Sequence, residues 1–305
     1  MLSDSSLGST PASAMTAGQK HPLQPAHLAT IYTLVTCVIS WSFLAFGRDI
    51  FAAHLWPAVV TLMWIPAAVS IALRLATRDG FADAGLRAGP ARYWAIAYAG
   101  PFALATLTYA AAWIIGQVYI SPYLREQSMF GPIPVRLTWF DPAHTTLVLL
   151  AQRLALVATL GISLGILPAL GEEIGWRGYL LPKLIQARVR RPILVSGLIW
   201  GAWHVPFVLL MFQQQPYVTA ALYVLLCVTV AVFIGWLRLA SGSVFVAAMA
   251  HASYNTFYQD FYDHSFAGPY KWFWSGEVGL LCSVCFAVVA LFLYRTNRIT
   301  PFYAR

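Results

Sequence analysis

The residues of this chain best suited to chemistry begin at Gly171, in the run GEEIGWRGYL, which sets Glu172, Glu173 and Arg177 beside long apolar stretches. An ionisable side chain in the middle of a bilayer costs roughly 3 kcal/mol or more, so its presence there is by default a functional signal. Residues four apart share a helical face, so Glu173 and Arg177 are predicted to form an ion pair in the favourable acid-first order. Glu172 is turned about 100° away from Glu173, which leaves it for a reaction. On its own the run also reads as an interfacial helix start, with acids at the positive end of the helix dipole.

Two histidines stand where lipid gives them no partner: His204 in WGAWHVPFVLL and His251 in VFVAAMAHASYNTF, with Asn255 one turn beyond His251. Unpaired polar groups in hydrocarbon cost several kcal/mol each, so these residues are expected to meet Glu172 in one water-containing hollow lined by protein. Such a set suits a hydrolase. Glu172 would act as general base on a water that His204 orients, and His251 with Asn255 would donate hydrogen bonds to a developing oxyanion. Glu172, His204 and His251 could instead hold a divalent metal such as zinc, which takes imidazole and carboxylate ligands. The helical HExxH motif is absent.

The elements that must position these groups are membrane spans. Of 305 residues 59% are hydrophobic and only 10% charged, with mean hydropathy +0.67, against about 25% charged in soluble domains. The chain is predicted to be an all-α, polytopic helical membrane protein with about eight transmembrane helices, near 28–47, 55–76, 93–118, 145–170, 192–211, 217–239, 243–258 and 277–295. Pro168 is where the fourth span is expected to kink or break, sending Glu172 to Arg191 along or out of the cytoplasmic interface. Alternate loops divide the basic residues unevenly. Lys20, Arg74, Arg78, Arg87, Arg92, Lys183, Arg188, Arg190, Arg191, Arg238, Arg295, Arg298 and Arg305 fall on one side, and Arg48, Arg125, Arg136 and Lys271 on the other. The positive-inside rule then puts both termini in the cytoplasm, in keeping with a bacterial inner membrane. The net charge of +8 therefore reads as topology, and its dispersal over separate loops excludes a nucleic-acid-binding face.

Residues 1–25 read as a disordered cytoplasmic tail, 26–298 as a single helical membrane domain and 299–305 as a second cytoplasmic tail. The segment 119–144, with Pro122, Pro132, Pro134 and Pro142, reads as an irregular cap on the outer interface. Cys37, Cys227, Cys282 and Cys285 have no metal-finger spacing, and Cys282-x-x-Cys285 in an apolar helix reads as packing.

Taken together, EExxxR at Glu172, Glu173 and Arg177, the aromatic-x-x-x-His pattern ending at His204 before Val205-Pro206, and GS-x7-His-x3-Asn from Gly242 and Ser243 to His251 and Asn255 resemble the CPBP (CAAX protease and bacteriocin-processing, or Abi) family of intramembrane endopeptidases. Phe81-Ala-Asp-Ala-Gly-Leu-Arg87 resembles a lead-in segment of that family, whose core would span roughly 80–260. The resemblance implies an eight-helix membrane protease with a cavity opening toward the cytoplasm, acting on a membrane-associated or prenylated peptide. It makes Glu172 the catalytic glutamate, His204 its partner, His251 and Asn255 the oxyanion pair, and Glu173 and Arg177 supporting residues. Trp200 stands where Phe is commoner, a change expected to alter pocket shape more than chemistry.

Other readings use the same residues. A proton- or ion-coupled transporter would relay protons through Glu172, His204 and His251, though no matching halves are evident. A non-catalytic membrane scaffold has no use for the complete set. Gly161-Ile-Ser163-Leu-Gly165 matches a serine-nucleophile motif in letters only, since that motif needs a strand-to-helix elbow. A Ser–His dyad through Ser241 or Ser243 would leave the acidic motif idle.

Overall fold

The computed structural model describes residues 23–121, 142–212 and 214–302. Most of the expected first tail, nearly all of the 119–144 cap and the last three residues lie outside that set. Apart from its connecting loops the described chain is helical, with one two-residue antiparallel pair, β1 (Tyr119–Ile120) with β2 (Phe266–Ala267). Helices α1 (Pro25–Phe46), α2 (Arg48–Ala53), α3 (Leu55–Thr77) and α4 (Ala91–Ile114) come first. There follow α5 (Pro142–Leu156), α6 (Ile162–Gly175), α7 (Leu181–Gln186), α8 (Pro192–Met211), α9 (Pro216–Ser241) and α10 (Val244–Asn255). The short α11 (Lys271–Trp274) and α12 (Leu280–Arg295) close the bundle.

The all-α membrane architecture holds, and the chain is an integral membrane protein. Among the described residues six helical segments are long and apolar enough to cross a bilayer, rather than eight. The two remaining expected spans are both present as helix. The seventh is α10 prolonged by a π-helical stretch, Thr256–Asp263, and the eighth is the shorter α12.

Pro168 does not end its helix. Helical structure runs from α5 through α6 and α7, broken only by π turns at Val157–Gly161 and Trp176–Leu180. Pro66, Pro101 and Pro206 likewise lie inside helices. Prolines are tolerated in spans when their surroundings compensate for the missing hydrogen bond, and beside Pro168 the Trp64 indole N–H donates to the Leu167 carbonyl at 3.1 Å, tying α6 to α3. Glu172 to Lys183 therefore stays inside the bundle, and the interfacial placement expected from the proline is corrected.

Two glycine pairs set the packing, since small residues four apart let helix backbones approach. A Cβ on Gly171 would come within 2.7 Å of the Met63 carbonyl oxygen and 2.9 Å of Trp64 Cα, so α6 lies directly on the α3 backbone, and Gly175 continues the contact at Pro66. On α8, a Cβ on Gly197 would come within 2.7 Å of Ala231 Cβ and one on Gly201 within 2.9 Å of Val224 Cα. These contacts hold α8 and α9 as a close antiparallel pair.

At the Arg-rich end, the loop after α3 ties four elements together. Arg74 donates to the carbonyls of Gly80 (2.5 Å) and Gly178 (2.8 Å) and pairs with Asp83 at 2.7 Å. Lys183 pairs with Asp79 at 2.5 Å, and Gln186 donates to Asp83 at 2.9 Å. Arg238 donates to the Asp83 carbonyl (2.6 Å), and Gly85 accepts the first amide of α10, that of Val244, at 2.9 Å. The segment resembling a family lead-in thus links the π turn after the acidic motif to the start of the helix that carries His251.

Candidate active site

Glu172, Glu173 and Arg177 are 1%, 0% and 1% exposed. Burying charge to that degree is costly unless it is paired; the partners are aromatic as well as ionic, and Glu173 Oε2 and Arg177 Nη2 have no hydrogen bond among the described residues. Arg177 Nη1 donates to Glu173 Oε1 at 2.9 Å, the expected ion pair. The same oxygen accepts from His251 Nδ1 at 2.9 Å. Glu172 Oε2 accepts from two indoles, Trp200 Nε1 at 2.6 Å and Trp176 Nε1 at 3.2 Å. Its Oε1 has no protein hydrogen bond among the described residues.

Trp200 is the hub of the site. Its N–H holds Glu172, the Arg177 guanidinium carbon lies 4.3 Å from its ring centroid, and the rings of His204 and His251 meet it edge-on at 5.5 and 5.3 Å. The expectation that Trp in place of Phe alters mainly shape is therefore corrected: a phenyl ring has no N–H to offer the carboxylate. Trp176, four residues after Glu172, obeys the same face rule that pairs Glu173 with Arg177.

His204 Nδ1 lies 2.9 Å from the carbonyl of Trp200, one turn back on α8. A carbonyl can only accept, so Nδ1 carries the proton and Nε2 keeps its lone pair. The ring is stacked on Tyr223 at 4.8 Å between centroids. His204 makes no direct bond to Glu172, and Trp200 is the residue that connects them. The Asn255 carboxamide makes no hydrogen bond among the described residues.

Glu172, His204, His251 and Asn255, contributed by three separate stretches of sequence, all line one cavity of about 620 Å³. Its walls come from the start of α3 (Leu55, Val59), the end of α8 (Phe207, Met211), the start of α9 (Tyr223, Leu226) and the end of the α10 π extension (Asp263). These are the ends of the helices opposite the Arg-rich loops.

The far wall carries a second carboxylate. Glu277, in the turn before α12, accepts from Gln259 Nε2 at 2.6 Å and lies 3.5 Å from the Tyr223 hydroxyl. Burial pushes its carboxyl up to about 8, the negative charge of Asp263 adds to the rise, and the bonds from Gln259 and Tyr223 offset only part of it.

Among the described residues no three His, Cys, Asp or Glu side chains gather as one ion would require. Within that set Glu172 Oε2 is committed to two indoles and Nδ1 of each histidine to an oxygen, which leaves Glu172 Oε1 and both Nε2 atoms free of protein hydrogen bonds.

Residues 154–257 match the family model described as Type II CAAX prenyl endopeptidase Rce1-like. The matched segment contains the acidic motif, both histidines and Asn255, and it agrees with the family that those motifs resemble. No curated protein matches the chain.

Proposed function

We propose that this protein is an intramembrane endopeptidase that works through a glutamate, hydrolysing a peptide bond of a membrane-associated substrate. The family match supports a peptidase acting on a peptide at the membrane. The observation that carries the glutamate reading is the state of Glu172: two indole N–H groups fix one oxygen, and the other is left without a protein partner in the cavity it shares with His204, His251 and Asn255.

In this reading Glu172 takes a proton from a water held by the Nε2 lone pair of His204, and the water oxygen attacks the scissile carbonyl. The oxyanion is met by the Asn255 amide and by His251. Because His251 Nδ1–H is bound to Glu173, donation from Nε2 requires the imidazolium, whose charge Glu173 balances at 2.9 Å. Glu172 then passes its proton to the leaving amine as the C–N bond breaks, which returns the carboxylate. Arg177 and Glu173 hold this charge arrangement in a dry protein interior.

The test compares membrane peptides from cells expressing the wild type and Glu172→Gln, which keeps an acceptor for the indoles and removes the base. Cleavage is expected to fall by about a thousandfold with thermal stability in detergent retained, and His204→Ala is expected to behave likewise. A Glu172→Gln protein that cuts at the wild-type rate would remove the assignment.

A further inference from the structure

The cavity extends beyond the groups that the hydrolysis uses. Its far wall includes Glu277, Gln259, Asp260 and Asp263. Two of these three carboxylates have a cation at hand. Asp263 pairs with Lys271 at 3.1 Å and accepts from the Tyr109 hydroxyl at 3.2 Å. Arg153 lies against Asp260, its Nε donating to that residue's backbone carbonyl at 3.1 Å.

Glu277 differs. Its Oε1 takes the Gln259 amide and faces the Tyr223 hydroxyl, and its backbone carbonyl accepts from the Tyr254 hydroxyl at 2.6 Å. All of these donors are neutral, and no Lys, Arg or His side chain pairs with it among the described residues. The carboxylate is thus fixed in place without a counter-charge, in a cavity wall shared with two tyrosine rings whose faces attract cations. It is also close to the reaction centre, because the Tyr223 ring that stacks on His204 is the one whose hydroxyl reaches Glu277.

We propose that Glu277, flanked by Tyr223 and Tyr254, is a substrate subsite for a basic side chain, Lys or Arg, of the peptide whose scissile bond lies at Glu172. The long aliphatic stem of such a residue suits the apolar lining supplied by Leu226 and Val230, with the charged head at the carboxylate. A cation binding there takes the place of the carboxyl proton. The preference for a basic residue is therefore expected to strengthen as pH rises toward and past about 8.

This inference rests on the peptidase reading, and the test separates the two. Full-length protein in lipid nanodiscs is titrated with decapeptides carrying a single Lys at each position in turn, and with a matching set in which norleucine replaces Lys. At one position the Lys peptide is expected to bind about tenfold tighter than its norleucine partner. Glu277→Gln is expected to erase that difference while the norleucine peptides, which also report that the variant is folded, bind as before. If Glu277→Gln does not fold, Glu277→Asp, which retracts the charge, is expected to weaken the Lys peptide while sparing norleucine. Equal binding of the two sets at every position in the wild type overturns the subsite. Cleavage of the same peptides is scored in parallel. Lys preference without cleavage keeps the subsite and removes the peptidase reading, and cleavage without Lys preference does the reverse.

Discussion

The two ends of the bundle handle charge in opposite ways. At the Arg-rich end, Arg74, Lys183 and Arg238 are nearly buried, and each is tied to Asp79, Asp83 or a backbone carbonyl from another part of the chain. At the cavity end, Glu277 has hydrogen bonds and no cation among the described residues, and the ion pair of Lys271 with Asp263 is 23% and 30% exposed. The first end has spent its charges on holding helices in register, and the second keeps one in reserve. A part-buried carboxylate left without a counter-charge is costly, which makes the cavity end the place to look for something that arrives from outside.

The sharpest way to break this contrast is to remove one cation from each end. Arg74→Met strands the carbonyls of Gly80 and Gly178 and takes from Asp83 its 2.7 Å partner. It is expected to cost about 3 kcal/mol or more, read as a fall in unfolding temperature in detergent. Lys271→Met, in the exposed pair, is expected to cost about 1 kcal/mol or less. Equal losses would mean that the Arg-rich network is ordinary surface pairing.

The boundary between the two ends is Trp200, which faces the cavity while lying against Arg177. Trp200→Phe keeps the ring and deletes the N–H bonded to Glu172. With Trp176 still donating to the same oxygen, kcat is expected to fall by about tenfold to about a hundredfold with KM nearly unchanged, the size of one hydrogen bond to a charged group. A rise in KM at constant kcat would mean that Trp200 shapes the pocket and leaves Glu172 alone.

Much of this arrangement was legible in the sequence because membrane chemistry makes polar residues conspicuous. Glu172, Glu173, Arg177, His204, His251 and Asn255 stand out against apolar runs, and helical periodicity alone pairs Glu173 with Arg177. What escaped notice belongs to residues that hydropathy counts as apolar or neutral. Trp176 and Trp200 read as packing until their N–H groups find a carboxylate, and Gly171 with Gly175 reads as filler until α3 lies against it. Pro168 is a poor guide because a helix-breaking rule drawn from water does not carry over to a helix packed inside a bundle.

The remaining expected effect concerns pH at the cavity end. Glu277 has its carboxyl raised to about 8, from an ordinary value of 4.5. Between those limits the folded protein holds a proton that the unfolded chain has released, so stability is greatest below about pH 4.5 and declines as pH rises toward 8. The slope from this group is at most about 1.4 kcal/mol per pH unit. Glu277→Gln removes the titration and keeps a side chain that Gln259 and Tyr223 can still bond. Unfolding temperatures of the two proteins in detergent are therefore expected to match near pH 4.5 and to diverge in favour of the variant by pH 9. Asp260, Asp263, His264 and Lys271, the other charged or ionisable groups at this end, are the same in both proteins, so the comparison isolates Glu277. A wild type that holds its stability to pH 9 would mean that Glu277 is already balanced by a cation inside the fold, and the contrast between the two ends would disappear.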